Sequence, residues 1–179
     1  MLTTEFLHPN KFYEYAHWLK AMDPQTIHNY FGFAISHEAI DELVKQFVAN
    51  PRENHFLIAK KGVHWVGTIH IATHGKEVEF GVIVAMQHRK EGIADLMMDE
   101  AITWARNRFY TDLYMHCLSW NQPIQRLCKK HGLKPRNMMG DSEAKLVLHP
   151  PTPFTYIKEQ MFIAQWNWNQ MSRFAQFGY

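Results

Sequence analysis

Cysteine is scarce: Cys117 and Cys128 are the only two in 179 residues, too few for a disulfide framework, and both fall inside predicted regular elements. That usage suits a reducing compartment. No run of residues approaches the roughly 20 consecutive apolar positions that a membrane-spanning helix needs. The first residues carry neither the basic segment nor the apolar stretch of a secretory signal. The expected setting is therefore soluble and cytoplasmic, without a membrane partner. Charge of one sign is also lacking, with 19 Lys and Arg against 17 Asp and Glu and a net charge of +2. The two signs are interspersed, so nucleic-acid binding has no support. The twelve histidines show no ligand spacing tied to a carboxylate, and no Cys-x-x-Cys pair is present, so no metal site is expected. A Gly-x-Ser-x-Gly elbow and a Walker-type phosphate loop are absent too, which weakens hydrolase and kinase readings. Neither internal repeats nor low-complexity segments occur.

What is present is enough apolar residue, 46% with 14% aromatic, to bury one core. Residues 4–8 read as a strand and 10–22 as a helix, with Asn10 as N-cap and Asp23-Pro24 as its stop. Residues 36–48 make a clearer helix, opened by Ser36, carrying Ile40, Leu43, Val44 and Phe47 on one face and ended by Asn50-Pro51. The hydrophobic period then switches to two. Residues 55–60 and 64–72 form a hairpin about Lys61-Gly62, and His74-Gly75-Lys76 turns the chain into a strand over 78–85. A helix over 93–105, a strand over 112–118, a second amphipathic helix ending at Gly132 and a strand over 144–148 complete the pattern. This meander followed by a βαβα unit predicts an α/β chain: a mixed sheet with helices on both faces, in three α/β/α layers. We expect one domain over residues 1–150 and an aromatic-rich C-terminal helical tail over 151–179, set off by His149-Pro-Pro-Thr-Pro153. The tail has a wide apolar belt, with Ile157, Met161, Ala164, Trp168 and Met171 on one side and Phe162, Trp166 and Phe174 flanking. Its first expected role is to complete the core of its own domain; the second is to form a partner or homodimer surface.

The most informative feature is the junction between the strand over 78–85 and the following helix. It holds the spacing Arg89-x-x-Gly92-x-Ala94. A strand feeding directly into a helix presents unpaired N–H groups at the positive end of a helix dipole, a receptor for phosphate oxygens. Gly92 has no Cβ and Ala94 a small one, so a phosphate can approach the amides of residues 89–94. Arg89 and Lys90 add charge.

With this junction, residues 79–133 resemble the acetyl-CoA-binding half of the GNAT acyltransferase superfamily. Glu79 to Val84, followed by Arg89, Gly92 and Ala94, resembles that family's fourth strand and its Arg/Gln-x-x-Gly-x-Gly/Ala loop. Asn121 together with Cys128, Gly132 and Leu133 resembles its second signature, an Asn after the fifth strand and a Leu-Tyr-x-x-x-Gly-Phe helix end. Cys128 stands where the family usually has tyrosine, and Leu133 where it has phenylalanine. The resemblance implies acetyl-CoA as co-substrate and an N-acetyltransferase that passes the acetyl group directly to a primary amine, with no metal. It implies that Val82, Ile83 and Val84 pair by their backbone with the pantetheine arm. The pyrophosphate would be held by Arg89, Lys90, Glu91, Gly92, Ile93 and Ala94. Asn121 would satisfy a pantetheine or backbone group in the gap between the two strands.

Aminolysis of a thioester needs a neutral amine and gains from a donor to the leaving sulfur. Glu79 is the expected base, since strand alternation sets it on one face with Gly81 and Ile83; His116 on the neighbouring strand is its rival. Cys128 reads first as inert helix packing and second as the candidate acid. The acceptor is a small-molecule or peptide amine, and its choice would be set by residues 23–34, the last strands and the tail. The alternative is a non-catalytic GNAT-like assembly protein that docks a partner through the aromatic tail.

Overall fold

The structure, a computed structural model, describes residues 1–138 and 141–176, and the side chains of these except residues 135–138, 141–142, 166 and 169–176. Thirteen strands and α-helices follow in chain order: β1 (Leu2–Phe6), α1 (Phe12–Lys20), α2 (Pro24–Phe31), α3 (His37–Ala49), β2 (Asn54–Lys61), β3 (His64–His74), β4 (Glu77–Val84), α4 (Ile93–Asn107), β5 (Asp112–Cys117), α5 (Gln122–Lys130), β6 (Lys134–Met138), β7 (Asp141–Val147) and α6 (Pro153–Gln176). The strands form one mixed sheet in the order β1-β2-β3-β4-β5-β7-β6. Every neighbouring pair is antiparallel except β4 and β5.

Alternation along the strands feeds two cores, one on each face of the sheet. Leu57, Ala59, Ile69, Ile71, Val78, Phe80 and Val82 pack against Met97, Met98, Ala101 and Trp104 of α4. Phe56, Ile58 and Ile83 pack on the other face against Phe12, Tyr15 and Leu19 of α1 and Ile40 and Val44 of α3. Phe56 anchors that second core, meeting Phe12 edge-on at 4.8 Å and Tyr15 at 4.4 Å between ring centroids. The three α/β/α layers expected from the pattern are therefore present.

The helix starts differ from the sequence reading in two places. Asn10 lies inside a short 3-10 turn, where its N–H donates to the His8 ring, and α1 begins only at Phe12, with no side-chain cap. Asp23-Pro24 does end the first helix, but it also opens α2: the Asp23 carboxylate accepts from Thr26 N at 2.8 Å, and Pro24 occupies the first helical position, where its missing N–H costs nothing. Ser36 caps α3 as expected, accepting from Ala39 N at 3.2 Å.

The tail helix lies against α4 and β1, but through another side than the apolar belt suggests. Thr155 is buried, Asn107 donates to Thr155 O at 3.0 Å and to Glu159 at 2.6 Å, and Arg108 pairs with Glu159 at 2.8 Å. Lys158 reaches Asp99 at 2.6 Å. Ile157, Met161 and Trp168, expected to be buried, are exposed at 58%, 66% and 74%, and Ala164 is exposed with them. The side chains of Trp166, Met171 and Phe174 lie outside the described residues. The buried Asn107 amide favours this docking side, because a buried polar group without a partner costs more than an exposed apolar one, and the exposed Arg108 adds its ion pair.

Under this contact Glu100 is buried beside Thr4, with one carboxylate oxygen unpartnered; burial first, then the charges of Glu159 and Asp99, raise its pKa from 4.5 to about 7. A carboxyl that ionises later in the fold than in the unfolded chain adds stability at low pH that is lost as pH climbs between those two values. Each pH unit within that window costs about 1.4 kcal/mol. Glu100→Gln removes the titration. Its melting temperature, compared with wild type, is expected to be similar near pH 4.5 and clearly higher above pH 7, the two values between which the Glu100 carboxyl titrates.

Candidate functional site

The sheet opens at one place. The parallel strands β4 and β5 pair over Glu77↔Asp112, Val78↔Leu113 and Glu79↔Tyr114 and, among the described residues, no further. Beyond that point β4 stays paired with β3 up to Val84, and β5 with β7 up to Cys117. The two strands part, and cavities occupy the wedge. One of about 480 Å³ lies where Glu79, Gly81, Met115, His116 and Asn121 face Tyr15, Tyr30 and Phe47. The other, about 400 Å³, runs along Val82, Ile83 and Val84 to Lys90, Gly92, Ile93 and Ala94. Both are lined by Asn29, Tyr30, Val82, Asn121 and Ile124, so they adjoin at these residues, which form the neck between them.

The loop at the head of the second cavity has the form of an anion cradle. Lys90 and Gly92 both adopt the left-handed conformation, with φ of 64° and 78°, which turns successive amides toward one side. Gly92 is the N-cap of α4 with no side-chain cap, and the first helical bond runs from Leu96 N to Gly92 O. The N–H groups ahead of it thus head a fifteen-residue helix with its dipole behind them. A Cβ on Gly92 would meet nothing within 4 Å, so the space before these amides is open. Lys90, Arg126 and Lys130 border the cavity. The last two are cations that no sequence motif marks, because their phase on α5 only matters once α5 lies beside the loop.

Of the expected phosphate contacts, Arg89 lines the cavity but is also engaged in the scaffold, and Glu91 does not line it. Arg89 donates to Val84 O at 3.3 Å and to Thr26 Oγ1 at 2.7 Å, so its guanidinium ties α2 to the end of β4. Thr26 in turn hydrogen-bonds Asp23. Glu91 points away from the cavity, pairing with Lys61 and with His88 at 3.3 Å. Lys61 is the main cause holding its carboxyl below the usual range.

In the first cavity the two candidate bases are one unit: His116 Nε2 lies 3.3 Å from Glu79 Oε1. The register explains it, since His116 stands two residues beyond Tyr114, the partner of Glu79, on the same face. Asn121 caps α5, accepting from Ile124 N at 3.4 Å, and donates to Asn29 O at 3.1 Å. It therefore spans from β5 to α2 and borders the neck.

Cys128 is not brought to the cleft. It is buried on the α4 side of the sheet, 3.0 Å from Cys117 Sγ and 3.8 Å from Met115 Sδ. Its hydrogen bond with Cys117 and its burial drive the thiol pKa upward. The residue that does reach the neck is Tyr30. A Cβ at position 81 would fall inside the Tyr30 hydroxyl, so Gly81 is what admits the ring against β4. Tyr30 sits on α2, a helix of eight residues, and no local pattern marks it as functional. No His, Cys, Asp and Glu group able to hold a metal occurs among the described residues, nor does any helix among them have the length and apolarity to cross a membrane.

Residues 13–133 match the acetyltransferase (GNAT) family. No curated protein matches the chain by sequence. Among solved structures, spermidine N-acetyltransferase from Vibrio cholerae in complex with CoA and spermine is similar at a TM-score of 0.66 and 13% identity, over 82% of this chain and 95% of that one. Ribosomal-protein-alanine N-acetyltransferase from Brucella melitensis aligns at 0.62 and 16%, over 81% and 99%. An N-acetyltransferase from Thermoplasma acidophilum in complex with coenzyme A aligns at 0.62 and 12%, over 82% and 99%. With two thirds of its length matched by the family, this chain belongs to the acetyltransferase (GNAT) family and is an acetyltransferase.

Proposed function

We propose that this protein transfers the acetyl group of acetyl-CoA directly to a primary amine, without a covalent enzyme intermediate. The observation that carries the reading is the meeting of two cavities where β4 and β5 part, one leading to an amide cradle and the other to a carboxylate. In this reading the diphosphate of acetyl-CoA rests on the amides of residues 90–94, with Lys90 and Arg126 adding positive charge. The pantetheine arm follows β4 along Val84, Ile83 and Val82 as an added strand. The thioester then arrives at the neck, beside Gly81.

The amine enters from the other cavity. An alkylammonium has an ordinary pKa of about 10.4 and must lose a proton before it can attack. The Glu79–His116 pair, half-exposed at the mouth, is placed to take that proton and pass it to solvent. The neutral nitrogen adds to the thioester carbon and forms the C–N bond, the adduct nitrogen gives up a second proton to the same pair, and collapse breaks the C–S bond with its electrons leaving on sulfur. The walls of this cavity include Tyr15, Phe31, Leu43 and Phe47. His70 also lines it, its pKa lowered to about 4 chiefly by burial, so it adds no positive charge near neutrality. A primary amine on an apolar or aromatic body fits such a wall better than a polyamine, which needs several anions.

Three results are expected. Calorimetric titration with acetyl-CoA should show micromolar binding to wild type and none to Gly92→Trp, whose side chain fills the open space before the cradle, with melting retained within a few degrees. Glu79→Gln should leave that binding intact and slow turnover of a panel of phenethylamine, spermidine and an alanine-terminated peptide by about 10²-fold or more, the usual contribution of a positioned base. If Glu79 and His116 work as one unit, the double variant with His116→Gln should be no slower than the worse single variant. A wild type that folds but does not bind acetyl-CoA would refute the reading.

A further inference from the structure

The family signature leaves this chain without a donor on α5, because the usual tyrosine position is Cys128 and Cys128 is buried among Cys117 and Met115. Something else must face the sulfur. Among the hydroxyl-bearing side chains that line the cavities, Tyr15 lines only the first and Thr26 only the second, while Tyr30 lines both. Its hydroxyl lies against Gly81, two residues beyond the last pair that β4 makes with β5. That is the point to which an arm laid along Val84, Ile83 and Val82 extends.

We propose that the Tyr30 hydroxyl is the hydrogen-bond donor to the departing sulfur of acetyl-CoA, a role supplied from α2 in place of α5. This rests on the acetyltransfer reading above and adds a catalytic residue to it.

The surroundings of Tyr30 fix it for that task. Its ring is held edge-on against Phe31 at 4.8 Å between centroids. Tyr15, fully buried in α1, neighbours the Tyr30 side chain. Asn121 grips the preceding residue at Asn29 O, and the Asp23, Thr26 and Arg89 series ties the start of α2 to the end of β4. A donor fixed in advance at the place where charge develops costs no reorganisation during the reaction. Burial first, with the Glu79 carboxylate adding to it, pushes the Tyr30 pKa up to about 12. The hydroxyl therefore keeps its proton and acts by hydrogen bonding.

The balance of the step is complete without a proton from Tyr30. The amine nitrogen forms a bond to the acetyl carbon and surrenders one proton to the Glu79–His116 pair. The C–S bond breaks, its electron pair stays on sulfur as a thiolate bonded to Tyr30 O–H, and the released thiolate takes a proton from solvent.

The test is thiol release from acetyl-CoA, with water or the fastest amine of the panel as acceptor, in wild type and in Tyr30→Phe, which keeps the ring and loses only the hydroxyl. Tyr30→Phe should turn over more slowly by about 10-fold or more, as expected for loss of a preorganised donor, with unchanged calorimetric affinity for acetyl-CoA. A second variant carries 3,5-difluorotyrosine at position 30, whose hydroxyl ionises at lower pH. Its turnover should fall as pH rises through that ionisation, a limb that wild type lacks and that a purely packing role would not create. Unchanged turnover in Tyr30→Phe, or no new limb with the fluorinated residue, overturns the assignment while leaving the acetyl-CoA site in place. Failure of wild type to bind acetyl-CoA would instead overturn the reading on which it rests.

Discussion

Two parallel strands that pair for three residues and then diverge impose the layout of this molecule. A parallel ladder normally continues because each unpaired backbone group near the core needs a partner. Here β4 and β5 each keep an antiparallel neighbour on the outer side, so the wedge between them exposes one edge of each without unravelling the sheet. The edge of β4 beyond Glu79 is thus an open template for an extended ligand rich in amides. The helix that starts just past its end supplies the anion cradle, and the helix after β5 supplies the cap that closes the other side.

The remainder of the fold braces that wedge. α2 lies across it, held at one end by Arg89 through Thr26 and at the other by Asn121 through Asn29. Those two residues belong to the two family signatures, and in this chain both side chains act on the scaffold. Arg89 and Asn121 orient α2, the open amides are left to receive phosphate in the proposed reading, and α2 presents Tyr30 to the neck. The same side chains therefore fix the cleft's width and bring its proposed donor into place. The two aromatic and aliphatic cores on either face of the sheet keep these distances from relaxing.

Much of this is legible in the residues because it depends on local rules. The Gly92 turn, the Ser36 cap and the period-two hairpin each follow from a backbone demand that few residue types meet. What is not legible depends on rotation and on packing between distant elements. Asp23-Pro24 satisfies the rule for ending one helix and the rule for starting another, so α2 and its Tyr30 are hidden behind a stop signal. Cys128 sits at the right spacing for a donor, yet the phase of α5 turns it toward Cys117 rather than the cleft. The apolar belt of α6 is too wide to name its own buried side. Asn107 and Arg108, far upstream in the chain, favour one side through Thr155 and Glu159. Glu79 and His116 read as rivals in the sequence and stand as neighbours in the fold, a relation set by strand register that neither strand reveals alone.

The central claim is that the open edge of β4 and the head of α4 together receive acetyl-CoA. Amide hydrogen exchange resolved to short segments tests it most directly, with and without saturating acetyl-CoA. Exchange should slow at residues 80–84 and 90–96 on addition of the ligand, while β1, at the edge of the sheet, and α6 beside it stay unchanged. Unaltered exchange in both of those segments, in protein that remains folded, would contradict the account.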